Sequence, residues 1–141
     1  MAASIDSVER TVHVTNRWLH EVAKELGEDE ARAYQALRAV LHALRDRVGV
    51  DEAAQLAAQL PELLRGVFYE GWVPSRTPEA YHDAGTFLAR IERDLHLHGA
   101  TEASYAVRAV MDVLGRHVSE GELRDVMAVL PPAVRELVDA A

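Results

Sequence analysis

At 141 residues, with a formal net charge of −8 and no cysteine, the chain is sized for one compact domain or two half-sized units sharing a core, and disulfides, thiolate nucleophiles and thiolate metal sites are excluded. The charge is spread evenly, with 8 basic against 12 acidic groups in residues 1–71 and 7 against 11 in residues 72–141; neither half is a basic arm, and such a field repels phosphate backbones and anionic lipid surfaces. The opening MAASIDSVER lacks the basic and apolar run of a secretion signal, and no stretch approaches the ~18 apolar residues of a membrane helix, so the expectation is a cytoplasmic protein without nucleic-acid or membrane partners.

Ile5, Val8, Val12, Leu19, Val22 and Leu26 recur at helical spacing and predict an amphipathic helix over 5–26, with Val14 and Trp18 widening its stripe and Gly27 ending it. Glu21 and Glu25, with Lys24 beside them, read as its solvated face. A second helix, about 29–48, puts Ala33, Leu37, Val40, Leu41, Leu44 and Val48 on one side, and Arg45 and Arg47 near its end suit the helix dipole. Asp51 reads as the cap of a third helix through Ala53, Leu56 and Leu60. Pro61, which lacks an N–H and clashes inside a continuing helix, reads as the first residue of a short fourth. The stretch GWVPSRTP is the clear linker. Thr77 as N-cap with Pro78 at the first helical position predicts a fifth helix from 78 to about 95. Three more helices are placed at about 101–118, 120–130 and 131–140, the seventh opened by the capping box Ser119-x-x-Glu122.

The chain then reads as saying one thing twice. Residues 34–65 and 104–135 align without a gap at an offset of 70, with 11 of 32 positions identical: Ala36, Arg38, Ala39, Val40, Leu44, Val48, Glu52, Ala58, Leu60, Pro61 and Arg65 recur as Ala106, Arg108, Ala109, Val110, Leu114, Val118, Glu122, Ala128, Leu130, Pro131 and Arg135. Upstream, at an offset of 69, Trp18, Leu19, Val22 and Leu26 answer to Phe87, Leu88, Ile91 and Leu95, the extra residue falling in the HLHGATEA loop. A period of this length marks a duplicated structural unit. The expected architecture is all-α, a tandem of two four-helix units in one compact protein, with boundaries at 1–71, a Pro-rich linker at 72–78, and 79–141.

LRAVLHALRDR, VDEAAQLAAQLPELLRG and the FYEGW before the proline turn resemble a bacterial helical family catalogued as domain of unknown function 2267 (DUF2267), and the resemblance covers nearly the whole chain. It implies an all-α fold and a soluble bacterial protein. It carries no catalytic residues to transfer.

Three constellations stand out. Arg38/Arg108, Glu52/Glu122 and Arg65/Arg135 are the polar residues kept in both copies; they suit either an ion-pair and carbonyl-capping network, with Arg38 set against Glu52, or a pair of anion sites between the units. Phe68, Tyr69 and Trp72 crowd the junction, either plugging the seam between units or anchoring a protein partner. The histidines offer Glu79-x-x-His82, the pairs Glu9/His13 and Glu92/His96, and His96-Leu97-His98, but no HExxH and no second E-x-x-H, so neither metal nor cofactor is expected. No GxSxG elbow, Walker loop or GxGxxG occurs, and the third-helix segment DEAAQLAAQL has the wrong sign for a major groove. The expected function is a non-enzymatic protein-interaction or scaffolding module; the alternative is a small-ligand or anion-binding protein using the paired arginines in the cleft between units.

Overall fold

The helical apolar spacing winds into eight α-helices and one 3-10 turn in the computed structural model, which describes residues 2–96 and 100–139, and the side chains of 6–96 and 102–139; no strand occurs among the described residues. In chain order the helices are α1 (Ala2–Leu26), α2 (Glu30–Val48), α3 (Val50–Ala57), α4 (Glu62–Tyr69), α5 (Ala84–Leu95), α6 (Ala100–His117), α7 (Glu120–Val129) and α8 (Pro132–Asp139). No helix among the described residues is long and apolar enough to cross a membrane.

α2 is the central element. Its twelve buried residues leave little of it polar, as expected of a helix packed on several sides. It packs against α1, α5, α6, α3 and α4. α1, α2, α5 and α6 form the bundle: α1 lies on α2 and α6, α5 lies on α6 and α2, and α2 meets α6 across the middle. The short helices then close it, α4 against α1 and α2, α8 against α5 and α6, and α3 against α7. The packings of α1 on α2, α1 on α6, α1 on α4 and α2 on α4 thus have counterparts in α5 on α6, α5 on α2, α5 on α8 and α6 on α8, whereas α3 packs on α2 and α4 with no comparable packing of α7 on α6 or α8 among the described residues. The interior is continuous, running from Trp18 and Val22 through Leu37, Leu41, Leu44, Leu56, Leu64 and Phe68 to Phe87, Ile91, Leu114 and Leu130.

Several element boundaries differ from the sequence reading. α1 buries Thr15, Trp18, Val22 and Ala23, with Val14, Leu19 and Leu26 half-buried, whereas Val8 and Val12 are exposed. The Ile5 side chain and Leu97, His98 and Gly99 of the HLHGATEA loop lie outside the described residues. The position before α3 is Gly49, with φ +91, and Asp51 falls inside the first turn; a positive φ is glycine's territory, so α2 turns into α3 without a capping side chain. Pro61 occupies the cap position itself, one residue before the helix.

The largest change is at α5. It starts at Ala84, where the Asp83 carboxylate accepts the Thr86 N–H at 2.8 Å, and not at Pro78. Residues 77–83 cannot wind up because α2 holds them: Glu79 N–H donates to the Asp46 carbonyl at 2.8 Å, and the Tyr81 carbonyl takes Arg47 Nε at 2.9 Å. The Ser119 hydroxyl does accept the Glu122 N–H, at 3.2 Å, but the return half of the capping box is missing. Ser119 N–H donates instead to Gln59 Oε1 at 3.0 Å.

Candidate functional site

The repeated arginines Arg65 and Arg135 do the same thing in each half. From α4, Arg65 Nε donates to the Ala57 carbonyl at 3.0 Å and its Nη2 to the Leu60 carbonyl at 3.1 Å. From α8, Arg135 Nε donates to Met127 at 2.8 Å and Nη2 to Leu130 at 3.1 Å, the same acceptors 70 positions on. A planar guanidinium thus closes the orphan carbonyls at the end of α3 and of α7. Arg38 and Arg108 diverge. Arg38 pairs with Glu70, not with Glu52, while exposed Arg108 lies over the Tyr105 ring at 5.9 Å.

Glu52 and Glu122 meet each other across the α3–α7 contact. Both Oε2 atoms are shut away from solvent with no hydrogen-bond partner among the described residues. Burial, and then the neighbouring Glu52 carboxyl, push the Glu122 carboxyl up to about 8.

The polar network that holds the junction was not foreseen. Arg45, only 3% exposed, donates from Nη1 to the Phe68 carbonyl at 2.7 Å and the Glu70 carbonyl at 2.8 Å, and grips Asp46 through Nε and Nη2. Asp46 also takes Arg90 Nη2 at 2.8 Å, and Arg90 Nη1 reaches Glu79 at 2.6 Å. Burial works to raise the Asp46 carboxyl, but the bonds and charges of Arg45 and Arg90 outweigh it and hold the group below the usual range. His42 Nε2 donates to the Val67 carbonyl at 2.7 Å; burial lowers its pKa and prevails over that bond. Tyr81, beneath Arg47, is pushed up to about 12 by burial and then by Glu79. Within this clasp Phe68 is fully buried, whereas Tyr69 and Trp72 stack at 5.2 Å, half-buried against the core. Val73 is exposed.

Glu21 and Glu25 are likewise not a plain solvated face: Arg116 bridges both, His117 Nε2 meets Glu21 at 2.9 Å, and the His117 ring stacks on Trp18 at 4.7 Å. Of the histidine pairs, Glu79 is engaged by Arg90, His82 sits beside Arg47, and Glu9 and His13 are exposed.

Among the concavities of the described residues, the largest of those with an apolar floor and a polar rim lies between α1–α2 and α5–α6. A cleft of about 510 Å³ opens where α1 passes into α2 and α5 ends against α6, floored by Leu26, Ala36, Leu95 and Ala106. Glu28, Arg32, Gln35, His96, Glu102 and Tyr105 rim it. Its lining draws on both of the stretches that align in sequence, with Leu26 aligned to Leu95, Gln35 to Tyr105 and Ala36 to Ala106. Past Tyr105 and Leu26 a second hollow of about 350 Å³ reaches Arg108. The first volume falls in the roughly 300–1,000 Å³ range of small-ligand sites between bundle helices. The repeated residues Arg38, Glu52, Arg65, Glu122 and Arg135 do not line it. The sequence model of the family described as uncharacterized conserved protein (DUF2267) matches residues 15–137, and no curated protein matches the chain.

Proposed function

The chain belongs to the DUF2267 family, and from that premise we propose that it is a non-enzymatic helical binding module of the bacterial cytoplasm, made from two copies of one four-helix unit. The units span 1–71 and 79–141 with the linker between them, and the occupant sits in the cleft where their equivalent walls face each other. Two features support the duplication: Arg65 and Arg135 bond to matching carbonyls, and the packings among α1, α2 and α4 recur among α5, α6 and α8, although those of α3 on α2 and α4 do not recur for α7. The cleft carries the functional reading. Its apolar floor suits an aliphatic or aromatic anchor, and a rim holding Arg32 and His96 beside Glu28 and Glu102 suits the mixed charge of a polypeptide segment. A protein partner is therefore the proposed occupant.

The anion reading needs its arginines free; Arg65, Arg135 and Arg38 are occupied by carbonyls and by Glu70, which leaves it the exposed Arg108 over the Tyr105 ring. A thermal-shift screen against phosphates, organic acids and short amphipathic peptides tests the choice. Peptides that stabilise the wild type and fail with Tyr105→Ala and Arg32→Ala support the cleft; stabilisation by anions alone, lost in Arg65→Ala, overturns it.

A further inference from the structure

The α3–α7 contact brings together charge as well as apolar surface. Glu52 is the third residue of α3 and Glu122 the third of α7, so each carboxylate stands in a first turn, where the helix dipole favours the anion. Glu122 is 7% exposed and Glu52 half-buried, and the Oε2 of each is enclosed and unpartnered among the described residues. Asp125, one turn along α7 and exposed, adds a third carboxylate. One oxygen from each of the three lies within 4.8 Å of the others. The charges acting on Glu122 are those of Glu52 and Asp125, both negative. No basic side chain pairs with any of the three among the described residues.

Crowded, enclosed carboxyls without a countercharge are costly to ionise together, and Glu122 meets that cost by holding a proton against Glu52, a proton that a bound cation would displace. An oxygen-ligated divalent ion relieves that cost directly. Two oxygens bound to one Ca²⁺ at 2.3–2.6 Å lie at most about 5 Å apart, and two bound to Mg²⁺ at most about 4 Å, so oxygens that all lie within 4.8 Å of one another need only small side-chain adjustments to share one ion. The donor set is oxygen alone, without imidazole or thiolate, and so selects hard ions over Zn²⁺ or Cu²⁺. Buried Glu122 and half-buried Glu52 supply the floor, and exposed Asp125 supplies the mouth, where water completes the shell. We propose that Glu52, Glu122 and Asp125 bind one hard divalent cation of the Ca²⁺, Mg²⁺ or Mn²⁺ class, clamping α3 to α7 and so tying the two halves of the chain together. The site is separate from the cleft and stands or falls independently of it.

The test is calorimetric titration of the chelator-treated full chain with Ca²⁺, Mg²⁺ and Mn²⁺ in turn, alongside thermal melts. The expected result is saturable uptake of one ion per chain for at least one of the three, a melting temperature that rises with ion concentration, and at least tenfold weaker binding in Glu122→Gln. Because Asp125 is exposed, Asp125→Asn provides a variant whose folding is not in question, and it too binds at least tenfold more weakly. Glu62→Gln, on α4, binds as the wild type does. Absence of saturable uptake up to 1 mM for all three ions overturns the proposal, and so does uptake that is unchanged in Glu122→Gln and Asp125→Asn. A shared proton alone would give the first of these outcomes.

Discussion

Replacing Arg65 or Arg135 by alanine should destabilise the protein by nearly the same amount. Each side chain is half-buried and makes two well-formed bonds to backbone carbonyls, at 3.0 and 3.1 Å for Arg65 and at 2.8 and 3.1 Å for Arg135. Hydrogen bonds to a charged group contribute roughly 1.5–3 kcal/mol each. Partial exposure lets water reach the vacated carbonyls, so the loss for the pair of bonds is discounted to about 2–3 kcal/mol per arginine. Lysine at either position keeps the charge but cannot offer the planar fork to two acceptors, and should recover less than half of the loss. Because the two arginines share no acceptor, the double variant should cost the sum within about 0.5 kcal/mol. Urea unfolding of the four variants at fixed protein concentration measures all of this. A cost below about 0.5 kcal/mol at both positions, together with lost stabilisation by added phosphate, would refute the capping role and restore the anion reading.

Removing the buried Arg45 guanidinium, as Arg45→Ala, leaves two buried carbonyls and Asp46 uncompensated and should cost about 3–5 kcal/mol by urea melts; a loss under 1 kcal/mol would contradict the clasp. Phe68→Ala should cost about 3–5 kcal/mol as a core truncation, against about 0.5 kcal/mol or less for the exposed Val73→Ala; equal costs would mean the junction is not part of the core. His42 gives a pH dependence. Its folded pKa lies below the unfolded value of 6.5, so on acidification the unfolded chain takes up the proton first, and stability falls as pH drops below about 6.5. His42→Gln, which keeps a donor for the Val67 carbonyl, should lose less stability than wild type between pH 7.5 and 5.5; parallel losses would remove His42 as the cause.

The sequence made the helices legible because each carries its own apolar period, and it made Arg65 and Arg135 legible because both copies keep them. Other features depend on contacts that leave no local trace. Thr77 and Pro78 carry a good helix-start signal, yet α5 begins at Ala84 because Asp46 and Arg47, more than thirty residues earlier, bind the backbone in between. Arg45 and Arg47 look like ordinary helix-end cations and are buried. Val8 and Val12 fit the stripe of α1 and stay exposed, even though α4 reaches this part of the helix through the bond of Leu63 N–H to Thr11 Oγ1. Glu52 and Glu122 align at the offset of 70, but an alignment does not say that the two side chains touch, and without that contact Arg38 is the natural partner for Glu52. The rim of the cleft was not legible, since Arg32, Gln35, Glu102 and Tyr105 differ between the aligned stretches and so stand outside the repeated set.

The claim that the inter-half cleft holds a protein segment is tested most directly by placing a photo-crosslinking amino acid at Gln35, on the cleft rim, and at Arg124, exposed on α7, in the full chain expressed in its native host. The account predicts a discrete crosslinked partner at position 35 that is absent at 124, lost when Tyr105→Ala is introduced, and competed by a peptide spanning the partner's crosslinked segment. Identical crosslinking at both positions, or a position-35 product untouched by Tyr105→Ala and by the peptide, would contradict it.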